Sequence, residues 1–215
     1  MVKINASILN CDHTRIAEAV LKAEEAGADM IHVDVMDGVY CKNLTFGPDM
    51  VRGIKRICSI PVEVHLELLD VENMARMFFD TGADRITFQL DACENPLHAL
   101  RVIKEQGIEC GIGIGPSYSI DRLKYVAHLC DSITLMSVEP GYGGQPFEES
   151  VYDKITETRK LLLEKGLGCE IQIDGGVNEK TAPELVKRGA DTLIVGTYIF
   201  NSDDVAGQVR KLKNI

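Results

Sequence analysis

The chain has 215 residues, 45% of them hydrophobic and 26% charged, with no tryptophan and a formal net charge of −10. That length holds one domain with a sizeable core. The acidic balance excludes a broad nucleic-acid-binding surface, but it leaves room for a small anion, which backbone N–H groups can hold without net positive charge.

Residues 3–9 are the first predicted strand, and the segment around them lacks the long apolar run of a signal peptide or membrane span. A helical pattern over 14–26 follows, then a strand over 30–36, a helix over 48–57 and a strand over 62–68. The alternation continues with helix 71–80, strand 85–90, helix 94–106, strand 109–115, helix 119–129 and strand 132–138. It ends with helix 148–165, strand 170–175, helix 180–188, strand 192–196 and helix 203–213. Gly27-Ala28-Asp29, Gly82-Ala83-Asp84 and Gly189-Ala190-Asp191 form a weak repeat, each closing a helix and leading into a strand. Eight strands alternating with eight helices imply parallel pairing through helical crossovers. Eight units in 215 residues leave about 27 each, which suits a compact (β/α)₈ TIM barrel spanning residues 1–215 as one domain. A doubly wound sheet fits less well, because the first turn reads Leu9-Asn10-Cys11-Asp12 instead of a glycine-rich loop. Seven cysteines without a C-x-x-C pair point to free thiols in a reducing, cytoplasmic setting.

Strand phase divides the side chains into two sets. Ile31, Val33, Val35, Val62, Val64, Leu66, Ile86, Phe88, Ile112, Ile114, Ile171 and Ile173 fall on faces that pack under helices. The opposite faces carry Ser7, His32, Asp34, Met36, His65, Glu67, Gln89, Met136 and Asp174. In a barrel, residues toward the C-terminal strand ends gather at the mouth, where catalysis takes place. Without a metal or substrate, three of the set His32, Asp34, His65 and Asp174 would be unpaired buried polar groups, and such burial is costly. A divalent metal is the favoured solution. Neutral imidazole and carboxylate suit Zn²⁺, Fe²⁺, Mn²⁺ or Co²⁺. Three glycine-bearing turns follow the last strands: Gly141-Tyr142-Gly143-Gly144, Gly175-Gly176 and Gly196-Thr197. Together they predict a phosphate site, with residues 197–200 as the short extra helix that often completes one.

The segments Ser7-Ile8-Leu9, His32 through Gly38, Val64-His65-Leu66, Leu135 through Val138, Pro140 through Gln145 and Asp174 through Asn178 resemble those of the ribulose-phosphate 3-epimerase family. The resemblance covers all eight units. It implies an isomerase of carbohydrate metabolism, on the pentose phosphate pathway, that interconverts D-ribulose 5-phosphate and D-xylulose 5-phosphate. It also implies one divalent cation on His32, Asp34, His65 and Asp174, with Asp34 and Asp174 as the acid/base pair. Ser7 and His65 would lie near the sugar, and the glycine turns around its phosphate. A homo-oligomer is implied as well, with no nucleic-acid or membrane partner. The chemistry asks for the same residue types: inverting a carbon beside a ketone takes one carboxylate on each face, and a metal stabilises the enediolate.

The chain departs from the family around the sugar. Glu67 stands where methionine is common, Gln89 where histidine is, and Gly115 where asparagine is. Met36 and Met136 with Glu67 and Gln89 are expected to wall the pocket. These differences keep open a second substrate, a hexulose 6-phosphate such as D-allulose 6-phosphate. A remoter reading is a barrel that binds sugar phosphate without turning it over. A metal-assisted decarboxylase would need a lysine beside the metal, and the inward faces offer none.

Overall fold

The computed structural model describes residues 1–215 and shows a closed barrel of eight parallel strands. These are β1 (Lys3–Ser7), β2 (Met30–Met36), β3 (Val62–Glu67), β4 (Arg85–Gln89), β5 (Glu109–Ile114), β6 (Ser132–Met136), β7 (Glu170–Asp174) and β8 (Thr192–Val195). Each lies within two residues of its predicted bounds. Around them run α1 (Ile16–Glu25), α2 (Pro48–Ile57), α3 (Val71–Arg76), α4 (Pro96–Lys104), α5 (Leu123–Val126), α6 (Val151–Lys165), α7 (Ala182–Arg188), α8 (Thr197–Phe200) and α9 (Val205–Lys213). No helix is long and apolar enough to cross a membrane.

Two helices differ from expectation. The segment 119–129 is one α-turn, α5, between 3₁₀ turns at Ile120–Arg122 and Ala127–Leu129. The Lys154 ammonium reaches across to the carbonyl oxygens of Gly115 and Tyr118 at 2.9 and 2.7 Å, which fixes the entry to this segment from outside it. The α3 segment ends at Arg76 because the chain tightens into i→i+3 bonds: the Phe78 and Thr81 N–H groups donate to Ala75 and Phe78. The Thr81 hydroxyl also donates to the Phe78 carbonyl.

The outward strand faces are buried as the phase predicts, with Ile31, Val33, Val62, Val64, Ile86, Phe88, Ile112, Ile171 and Ile173 all fully covered. The Gly-Ala-Asp repeat has a second purpose that its helix-ending glycine does not announce. The backbone N–H of Asp29 donates to the Ile4 carbonyl while its carboxylate accepts from the Ile4 N–H at 2.7 Å. Asp84 clamps Val62 in the same way, and Asp191 clamps Ile171. Asp131, which lacks the tripeptide, does this to Cys110. Each even strand is thus pinned at its start to the odd strand before it. Each clamp is also ion-paired to a basic residue of a helix: Asp29 to Lys213, Asp84 to Lys55, Asp191 to Arg159 and Asp131 to Lys104. Asp84→Ala leaves the Val62 N–H without its charged partner at the barrel's half-buried rim and is expected to cost about 1–3 kcal/mol, read from the urea midpoint at unchanged slope.

The barrel interior is mostly polar, with Met36, Met136 and Ile194 as its apolar members at the mouth. At the N-terminal end the Arg85 guanidinium donates to Glu109 at 2.7 Å and to Glu170 at 3.2 Å and closes the bottom. Midway, the fully buried Glu63 carboxylate accepts from Asn5, Thr87 and Gln172. Strand β5 contributes no side chain here because there is no room for one. A Cβ on Gly111 would lie 2.3 Å from the Thr87 Oγ1 and 2.4 Å from the Ser132 Oγ. The polar column rises from this floor to the mouth.

Candidate active site

At the C-terminal mouth, β2, β3 and β7 bring His32, Asp34, His65 and Asp174 together. One ligand-type atom from each lies within 4.8 Å of the others. The His32 Nε2 is 2.9 Å from the Asp34 Oδ1 and 3.8 Å from the Asp174 Oδ2. The His65 Nδ1 is 3.3 Å from the Asp34 Oδ1 and 3.7 Å from the Asp174 Oδ2. A cation with bonds of about 2.0–2.2 Å needs its ligand atoms at roughly these mutual spacings. The His65 Nδ1 is buried and has no hydrogen-bond partner, so it is the atom that calls most clearly for a cation. The expectation of three unpaired groups is corrected here. Asp34 accepts from Ser7 and pairs with His32, and Asp174 is partly open to the cavity. His65 alone is stranded.

The support beneath the cluster escaped the sequence reading. The His32 Nδ1 sits 3.1 Å from the Glu63 Oε2, and its N–H donates to that carboxylate. A ring so held turns its Nε2 to the cluster. Glu63 lies two residues before His65 on the same strand face, and that spacing was the available signal. Burial alone would raise the pKa of Glu63, but the bond and charge of His32 win and hold it at about 2.

The two aspartates are electrostatically unlike. Burial disfavours charge on Asp34, yet the His32 and His65 rings beside it outweigh burial and hold its pKa far below the usual range. Asp174 is pushed up to about 6, by burial first and by the Asp34 charge second. Burial opposes a proton on His32 as well, but Asp34 and Glu63 raise its pKa well above the ordinary value. Glu67, nearly inaccessible, is raised to about 8 by burial and the neighbouring aspartates. Its Oε2 has no partner.

A cavity of about 370 Å³ opens above the cluster. Ser7, Asp34, Met36, Glu67, Met136 and Asp174 border it on the cluster side. Gly141, Tyr142, Gly143, Gly144, Gly175, Gly176, Gly196 and Thr197 border it on the other, so all three glycine turns reach the same space. At Gly175 the backbone has φ 103°, and a Cβ there would meet the Val138 Cγ2 at 2.5 Å. No lysine or arginine borders the cavity. Asn10 and Asn178 also face it, and sequence reasoning did not single them out. One expectation needs correction: Gln89 is no pocket wall. It is fully buried behind His65, because β4 carries it on the far side of that ring from the cavity. His65 and His32 are likewise fully covered and lie beneath Asp34.

Residues 3–200 match the model of the ribulose-phosphate 3-epimerase family. The chain belongs to that family. A ribulose-phosphate 3-epimerase of Methanocaldococcus jannaschii is 37% identical over 213 residues, covering 99% of this chain and 90% of the relative. One of Bacillus subtilis is 35% identical over 205 residues, covering 95% and 94%. Among solved structures, the 3-hexulose-6-phosphate synthase of Salmonella typhimurium shares the fold, with a TM-score of 0.76 at 18% identity over 99% of this chain and 97% of that one. Membership makes this family barrel an isomerase of the class of epimerases acting on carbohydrates.

Proposed function

We propose that this epimerase interconverts D-ribulose 5-phosphate and D-xylulose 5-phosphate by moving a proton at C3 between Asp34 and Asp174. The observation that carries the reading is the pairing of two carboxylates on separate strands. Both border one cavity, both lie within 3.8 Å of one imidazole nitrogen, and they have opposite proton affinities. Inversion needs this inequality, because one acid must be empty while the other is loaded. Asp34, ionised and steadied by the Ser7 hydroxyl at 2.9 Å, takes the proton from one face. Asp174 returns one to the opposite face, and the roles exchange in the reverse direction. A divalent cation on His32, Asp34, His65 and Asp174, drawn from Zn²⁺, Fe²⁺, Mn²⁺ and Co²⁺, supplies Lewis-acid stabilisation of the charge that builds on the substrate's oxygens. Ser7 and the backbone of residues 141–144, 175–176 and 196–197 orient the sugar phosphate. With no cationic side chain on the wall, the phosphate is held by backbone N–H groups. Met36 and Met136 give the reacting carbon an apolar, polarisable setting.

Glu67 favours a second reading, a hexulose 6-phosphate as the better substrate. Glu67 brings a carboxyl to the edge of the cavity, where a methionine would bring no hydrogen-bonding group. The test is one experiment: the chain is reloaded with each of the four metals and given pentulose and hexulose phosphates in deuterated water. The expected result is deuterium at C3 of the product, with the highest kcat/KM on D-ribulose 5-phosphate. A higher value on a hexulose phosphate installs the second reading. Absence of C3 exchange with every ketose phosphate and every metal overturns both.

A further inference from the structure

We infer that Gln89 is a positioning residue: its side-chain carbonyl accepts the Nε2 proton of His65, fixing the tautomer whose Nδ1 lone pair faces the cluster. This rests on the reading of His65 as a cation ligand. The Gln89 Nε2 and the His65 Nε2 face each other at 3.2 Å, while the Gln89 Oε1 is buried without a partner. In that arrangement the amide donates to the ring. The ring proton then sits on Nδ1, the atom aimed at Asp34 and Asp174, where it blocks ligation. A half-turn of the amide exchanges oxygen and nitrogen at nearly the same positions, so the packing around it keeps its shape. It gives the stranded Oε1 a donor, the Nε2–H of His65, and frees the Nδ1 lone pair. The rotation pairs the Oε1, moves the amide nitrogen to the place the oxygen held, and leaves the Nδ1 lone pair for a cation.

The surroundings hold the amide in place. Gln89 pairs in register with Gly113 on β5, and a Cβ on Gly113 would come 2.9 Å from the Gln89 Cδ. The amide therefore lies flat on bare backbone, fully buried, with His65 on its other side. Histidine ligands are commonly oriented through the nitrogen that does not bind metal. Glu63 does this for His32 through a carboxylate. Gln89 does it for His65 through a neutral acceptor.

The test uses Zn²⁺, which is diamagnetic, with the full-length chain labelled at histidine with ¹⁵N. Two-dimensional spectra read the state of each imidazole nitrogen, and a competing chelator reads the dissociation constant. In the Zn²⁺-loaded wild-type chain His65 is expected to show a protonated Nε2 and a metal-bound Nδ1. Gln89→Leu removes the acceptor and is expected to weaken Zn²⁺ binding about 10- to 100-fold. Gln89→Glu keeps an acceptor and is expected to bind Zn²⁺ at least as well as Gln89→Leu and to retain the protonated Nε2. Wild-type His65 bound through Nε2, or Gln89→Leu with unchanged affinity and spectrum, overturns the inference and leaves the proposed reaction standing. A wild-type chain that takes up no Zn²⁺ overturns the inference and the Zn²⁺ form of the reaction together. The wild-type spectrum decides the tautomer even where Gln89→Leu does not fold.

Discussion

Asp174→Asn is expected to stop interconversion of the two epimers while leaving solvent exchange at C3 of one of them. Asp34→Asn should do the same for the other epimer. In a two-carboxylate inversion each acid serves one face of C3. With Asp174 neutralised, Asp34 still reaches the proton on its own side and returns a solvent-derived proton to that side, so deuterium enters without inversion. The substrate whose proton lies on the Asp174 side has no base at all. Net epimerisation should fall by about 10²–10⁴ in kcat, the range for loss of a positioned acid or base. The asparagine amide oxygen keeps the shape of the site and part of its capacity to face a cation. The measurement is ¹H NMR of C3 in deuterated water, starting from each pure epimer with each variant. The complementary pattern, one epimer per variant, separates two acids from one acid that swings between faces. If both variants exchange the same epimer, or one variant keeps wild-type turnover, the assignment of Asp34 and Asp174 to opposite faces is wrong.

The sequence legibility of this site follows from strand geometry. Period-two alternation places His32 and Asp34 on one face of β2 and His65 on the inner face of β3, and the barrel closure brings Asp174 of β7 to them. The same rule would have placed Glu63 beneath His65. In the sequence, however, Glu63 stands between two valines with no visible reason for a carboxylate to be buried there. Its reason lies on other strands: Asn5, His32, Thr87 and Gln172 arrive from β1, β2, β4 and β7. Gln89 was misread for a related cause. Phase shows that it points inward, but whether it meets the cavity or the back of a histidine depends on its height in the barrel relative to β3. The register, His65 against Thr87, sets Gln89 nearer the mouth than that partner, and it is the His65 ring lying against its amide that keeps it from the cavity. The Gly-Ala-Asp repeat was legible as a helix end. Its clamp on the preceding strand was not, because the partner N–H lies about 20 residues away, as between Asp84 and Val62.

Without a bound cation, the chain is expected to be most stable near pH 5 and to lose stability up to pH 8. The signs follow group by group. Asp34 and Glu63 have folded pKa values below their unfolded ones, so they contribute stability above about pH 4, lost only in acid. Asp174, raised to about 6, contributes while protonated and loses its contribution as pH climbs from its unfolded value through 6. Glu67, raised to about 8, loses its own across a wider span ending near pH 8. His32, also raised, loses stability in the same direction as its proton leaves. A cation reverses the balance, because it binds the deprotonated ligands and offsets the charge they carry. Calorimetric Tm should therefore fall between pH 5 and pH 8 for chelator-treated protein, and saturating Mn²⁺ should raise Tm more at pH 8 than at pH 5. Glu67→Met should flatten the metal-free profile at its alkaline end, since that side chain has no charge to strand. A metal-free Tm that is level or rises from pH 5 to pH 8 would mean that Asp174 and Glu67 do not resist ionisation in the cation-free chain.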